Sequence, residues 1–127
     1  MLIVLILIVY LPAQKNITRI SLPDSYNYQS GNENVSLSCL RGPYLQIGTP
    51  HSIIIKWRTN IATDSQIRYG MESTSLDQWV NSLIQKTEHE ITLTGLLPNT
   101  KYYYSVESIN GVLSTGSDHY FVTAPEV

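Results

Sequence analysis

At 127 residues the chain has room for one domain and some extra, and its leaning toward Ile, Val, Thr and Tyr over Ala and Glu favours β structure. The formal net charge is −2 and the lysines and arginines are scattered singly, so there is no clustered basic face for nucleic acid or an anionic membrane surface. Cys39 is the one cysteine, which excludes an internal disulfide framework and leaves the fold to its core.

The chain opens on MLIVLILIVYLPA, with an unbroken apolar run from Leu2 to Leu11. As a helix this run would reach about 15 Å, against about 30 Å of bilayer core, so it is too short for a stable membrane span. Its length suits the apolar region of a secretory signal peptide over residues 1–13, which implies a secreted or otherwise extracytoplasmic protein. No Lys or Arg precedes the run, and Leu11-Pro12-Ala13 is an imperfect cleavage site. Residues 14–38 are polar and read as a linker or arm. Asn16-Ile-Thr and Asn34-Val-Ser match the N-glycosylation pattern, which applies only in a secreted eukaryotic protein.

From Cys39 onward short strands succeed one another between turn signals. Gly42-Pro43 precedes YLQI, and Gly48-Thr-Pro50 closes it. SIIIKWRT alternates, with Ile53, Ile55 and Trp57 on one face and Ile54, Lys56 and Arg58 on the other. SQIRYG supplies Ile67 and Tyr69, a short edge strand is expected near Trp79, and HEITLTG turns Ile91 and Leu93 inward. TKYYYSVES and HYFVTAP complete the set. Seven short strands without helical period predict an all-β domain over residues 39–127, a seven-stranded antiparallel two-sheet sandwich.

The stretch LLPNTKYYYSV carries three consecutive tyrosines. On a strand, Tyr102, Tyr104 and Val106 share one face, and Tyr103 points the other way with Lys101 and Ser105. Leu96, Pro98, Thr100, Tyr102, Tyr104 and Val106 fall on a pattern that resembles the sixth strand of fibronectin type III domains, an immunoglobulin-like architecture. That resemblance makes Tyr102 a corner tyrosine over Leu96, with its hydroxyl on a main-chain group upstream. It makes Trp57, Leu96, Tyr102 and Tyr104 structural core.

A more specific resemblance covers residues 40–126. RGPYLQIGTPHSIIIKWRT, SQIRYG, TEHEITLTGLLPNTKYYYSV and DHYFVTAPE look like the N-terminal fibronectin-like domain of purple acid phosphatases. The resemblance implies a non-catalytic accessory domain. Its parent would hydrolyse phosphomonoesters at ferric iron plus a second divalent metal, held in a metallophosphoesterase domain in cis or on another subunit of the enzyme. The catalytic motifs D-x-G, G-D-x-x-Y, G-N-H-(D/E), V-x-x-H and G-H-x-H do not occur in these 127 residues. This chain alone is therefore expected to carry no enzyme activity and no cofactor, as a fragment of a longer enzyme or as a separately encoded remnant. His51, His89 and His119 read as surface or boundary residues, since no CxxC, HxH or HExxH spacing is present. Tyr103, together with Tyr44, is the candidate contact with a partner domain or subunit. The alternative reading is a free-standing fibronectin type III-like binding or adhesion module, because a fold does not fix a function.

Overall fold

The structure is a computed structural model that describes residues 35–127. The apolar run, both glycosylation patterns at Asn16 and Asn34, and most of the polar arm lie outside the described residues. The strands are β1 (Cys39–Gln46), β2 (Ile53–Gly70), β3 (Gln78–Leu93), β4 (Lys101–Ser108), β5 (Gly111–Ser114) and β6 (Tyr120–Val122). The described residues contain no helix.

Hydrogen bonding joins the six strands into one curled antiparallel sheet. The first half of β2 pairs with β1, its second half pairs with β4, and β3 runs beside both halves. The β2–β3 register breaks between Arg58 and Thr63 and again between Thr63 and Ser65, and extra residues at such breaks bend the strand. Ile53, Ile55 and Trp57 before the breaks and Ile67 and Tyr69 after them enter the same core. The sheet therefore folds its two halves onto a shared interior.

This differs in two ways from the seven strands expected. The stretches SIIIKWRT and SQIRYG are one strand, β2, and the edge strand near Trp79 continues into HEITLTG as β3. The connecting residues Asn60-Ile-Ala-Thr-Asp64 hold neither Gly nor Pro, so nothing in them stops the ladder. The second difference is β5, which sequence alternation did not pick out. Its signal was the Asn110-Gly111 turn, with Gly111 at φ 133°, a hairpin cue. β1 also begins earlier than YLQI and runs through Gly42-Pro43 with a register shift. Gly42 has φ 90°, and a Cβ there would lie 2.8 Å from the Lys56 carbonyl oxygen, so glycine alone fits this close approach.

The core comprises Ile53, Ile55, Trp57, Ile67, Tyr69, Ile91, Leu93, Leu96, Tyr102, Tyr104, Val106 and Phe121. Tyr102 packs its ring against Phe121 and Tyr69. Its hydroxyl accepts the Leu97 N–H at 3.0 Å. That bond fixes the chain just before β4 from inside the core. Tyr102→Phe keeps the ring and strands the amide, so it should lower the unfolding free energy by about 1–3 kcal/mol in urea titrations.

Two polar clasps hold the ends of the curled sheet. At the bend, the buried Asp64 carboxylate accepts the Ile109 N–H at 3.0 and 3.1 Å and the Thr63 hydroxyl at 3.1 Å. It thereby ties the β4–β5 turn to β2. At the opposite end, Leu96 N–H donates to the His51 carbonyl and Ala124 N–H to the Thr49 carbonyl, at 3.0 and 3.2 Å. Thr123 Oγ1 donates to the Leu97 carbonyl at 2.6 Å.

Candidate docking faces

Strand alternation turns Tyr103 outward from β4, opposite Gly70 of β2 and Tyr120 of β6. The Tyr103 and Tyr120 ring centroids are 6.1 Å apart. The Lys101 ammonium sits 3.9 Å from the Tyr120 ring and 4.9 Å from the Tyr103 ring, within cation–π range. Tyr103 is half-buried by these neighbours, and Tyr120 is exposed. The next row across the sheet is Ser105, Arg68 and Trp79. The Arg68 guanidinium lies 5.4 Å from the Trp79 ring and donates to Glu107 at 3.1 Å. Gln66 and Ser105 donate to the same carboxylate at 3.0 and 2.6 Å. Three donors compensate a carboxylate that is largely removed from water. The result is an outward aromatic face of Trp79, Tyr103 and Tyr120 on a rigid polar underlay. Sequence reasoning found only Tyr103 of this face; the strand register brings the other two rings to it.

Tyr44 occupies a different face. It stands opposite Lys56 on β2, and Lys56 stands opposite Glu90 on β3. The adjacent row is Arg41, Arg58 and Glu88. Lys56 pairs with Glu90 at 2.9 Å and Arg58 with Glu88 at 3.1 Å. These six side chains line an open groove of about 470 Å³, and Tyr44 is 50% exposed. Tyr44 and Tyr103 were expected together in one patch. The structure instead sets Tyr44 beside the first half of β2 and Tyr103 beside the second. They belong to two faces.

The histidines divide likewise. His89 is 3% exposed, which corrects its reading as a surface or boundary residue. It shares the inward parity of Ile91 and Leu93, and its ring stacks on Trp57 at 4.9 Å with planes 5° apart. Thr59 donates its hydroxyl to the Ile61 carbonyl at 2.8 Å, so its oxygen accepts from His89 Nε2 at 2.8 Å. Nδ1 then accepts the Ser65 hydroxyl at 2.7 Å. With the ring kept neutral by its burial, its proton sits on Nε2. Burial, more than the nearby Lys86 charge, pushes its pKa below the usual histidine value, and the Asp64 and Glu88 charges oppose the shift.

His51 and His119 lie nearer the surface. His51 Nδ1 donates to the Leu96 carbonyl at 2.9 Å, and Nε2 meets the Glu126 carboxylate at 2.8 Å. Two acceptors, the Leu96 carbonyl first, raise the pKa of His51. His119 bonds Ser114 and Asp118 at 2.8 and 3.0 Å, and its hydrogen bond holds the Asp118 carboxyl below the usual carboxylate range. Each histidine has its own separate set of partners. No group of three or more His, Cys, Asp or Glu side chains is placed to hold a metal among the described residues. The described residues do not bring together the several carboxylate and imidazole ligands that a dinuclear metal site needs in one cleft.

Comparison with known proteins agrees with the fold. The sensor domain of the anti-sigma factor RsgI4 from Pseudobacteroides cellulosolvens is similar at TM-score 0.51 and 17% identity, covering 72% of this chain and 95% of that one. The fn3 domain of human collagen alpha-1(XX) gives TM-score 0.49 and 22% identity over 77% of this chain and 94% of that one. The chicken CNTN1 FN1-FN3 domains give 0.49 and 19% over 64% of this chain, which spans 30% of that longer one. No curated protein matches in sequence. The family model "Purple acid Phosphatase, N-terminal domain" matches residues 40–123. That span holds nearly all of the six strands and both outward faces. The chain belongs to the purple acid phosphatase N-terminal domain family.

Proposed function

We propose that this chain is the accessory domain of a secreted purple acid phosphatase and that it packs against a metallophosphoesterase domain. The parent enzyme would hydrolyse phosphomonoesters with ferric iron and a second divalent metal, all held by that other domain. The observation that carries the reading is the family match over residues 40–123, which takes in nearly the whole described fold. A domain that performs no chemistry contributes by packing, positioning or recognition. The face of Trp79, Tyr103 and Tyr120 suits such packing, since rigid rings with polar tips are favoured at interfaces.

Two measurements test this. The purified chain, loaded with iron and zinc, should hydrolyse a phenyl phosphate no faster than buffer and should retain no stoichiometric metal; turnover free of contaminants would overturn the accessory reading. A purple acid phosphatase catalytic domain supplied in trans should co-elute with the chain. Tyr103→Ser should weaken that association while leaving the isolated domain's stability within about 1 kcal/mol, since it removes one half-exposed ring pair. Failure of any catalytic domain to associate would favour a free-standing binding module.

A further inference from the structure

We propose that the outer face of β1, β2 and β3 docks an acidic protein segment, with Arg41 receiving its carboxylate. Two rows of side chains cross these strands. In the first, Arg41 faces Arg58, which faces Glu88; in the second, Tyr44 faces Lys56, which faces Glu90. Three cations thus share two carboxylates. Glu88 is engaged by Arg58 and Glu90 by Lys56, and Arg41 has no carboxylate within ion-pair distance among the described residues. Like charges directly opposite one another on a sheet are destabilising. Arg41 therefore stands at the exposed edge of the groove, opposite another cation and with no counter-ion of its own among the described residues.

The charge balance selects the sign of the occupant, and the shape selects its class. The groove is open, and its floor is a three-strand ladder with a half-exposed phenol ring beside the guanidinium. An extended chain bearing a Glu or Asp can lay a carboxylate on the planar fork of Arg41, which binds such groups in bidentate fashion, and rest its stem on Tyr44. The strand beneath is held in place for this. Gly42 lets β1 approach so closely that a Cβ there would stand 2.8 Å from the Lys56 carbonyl, so Arg41 and Tyr44 flank a tightly seated point of the backbone. This inference deepens the docking role proposed above and rests on it, but it concerns a face separate from that of Tyr103.

The test uses the full chain with a Glu-Gly repeat peptide as probe and a Gln-Gly repeat as control, monitored by amide chemical shifts. The Glu peptide should move the signals of Arg41, Tyr44 and Arg58 at millimolar concentration, and the Gln peptide should not. Arg41→Gln should weaken peptide binding by about tenfold or more, with its urea midpoint unchanged or raised because a like-charge contact is relieved. No localised shift, equal binding by Arg41→Gln, or displacement by inorganic phosphate at matching concentration would overturn the proposal. A lowered midpoint for Arg41→Gln would also overturn it by assigning Arg41 a structural role. Capture of a catalytic domain through the Tyr103 face despite a silent groove would sink this inference alone.

Discussion

Trp57→Ala should lower the unfolding free energy by about 3–5 kcal/mol, the range for emptying a large aromatic site in a closed core. Trp57 is 2% exposed and is among the largest fully buried side chains. It sits just before the bend in β2 with its ring stacked on His89, and its Cα and Cβ lie close to Gly42. His89 cannot collapse into the void, since it is hydrogen-bonded at both ring nitrogens. Urea or guanidinium titration measures the loss as a lower midpoint at unchanged slope. A loss below about 1 kcal/mol would mean that the two halves of the sheet are not held together here.

The second large effect belongs to His89. His89→Ala should cost about 2–4 kcal/mol near pH 7.5, from the cavity and from the Thr59 and Ser65 hydroxyls left without their partner. Because Trp57 and His89 stack, the two losses should not add, and the double variant should be less destabilised than the sum. His89 also has a pH signature. The unfolded chain takes up a proton near 6.5, while the folded ring resists it because it is buried. Its contribution is therefore complete above that pH and is lost as pH falls from 6.5 toward the lower folded value. His51 works in the opposite sense: its folded pKa is raised, so its contribution is present below 6.5 and is lost as pH rises through the folded value. Stability measured between about pH 5 and 7.5 should fall more steeply toward acid in His51→Gln than in the parent chain. It should fall less steeply in His89→Ala. A profile unchanged in both variants would place neither imidazole in the contacts described.

The inward stripe was legible in the sequence because alternation has a period of two and leaves little choice. Ile53, Ile55 and Trp57, then Ile67 and Tyr69, then Ile91 and Leu93 all read as one face and all lie in the core. The same period, carried one step back from Ile91, points His89 inward. It was missed because a polar residue type was weighed above its position. The joining of strands across the bend was not legible, since register breaks depend on which partner lies opposite and not on local residue preference. For the outward faces the limit was the same. Tyr103 can be read from one strand, but Trp79 and Tyr120 reach it only through the pairing of β2, β3, β4 and β6.

The ties at the two ends of β1 set where the two ends of the described fold stand. The Ser38 carbonyl accepts the Asn60 N–H at 3.2 Å, and Ala124 is tied to Thr49 beyond the far end of the same strand. The eight residues of β1 lie between these anchor points and, because of their register shifts, run alongside only Ile54–Thr59 of β2, roughly 20 Å at about 3.3 Å per residue. Ser38 and Ala124 are thus held toward opposite ends of β1. A bulky group placed beside Ser38 should leave any association made near Ala124 undisturbed.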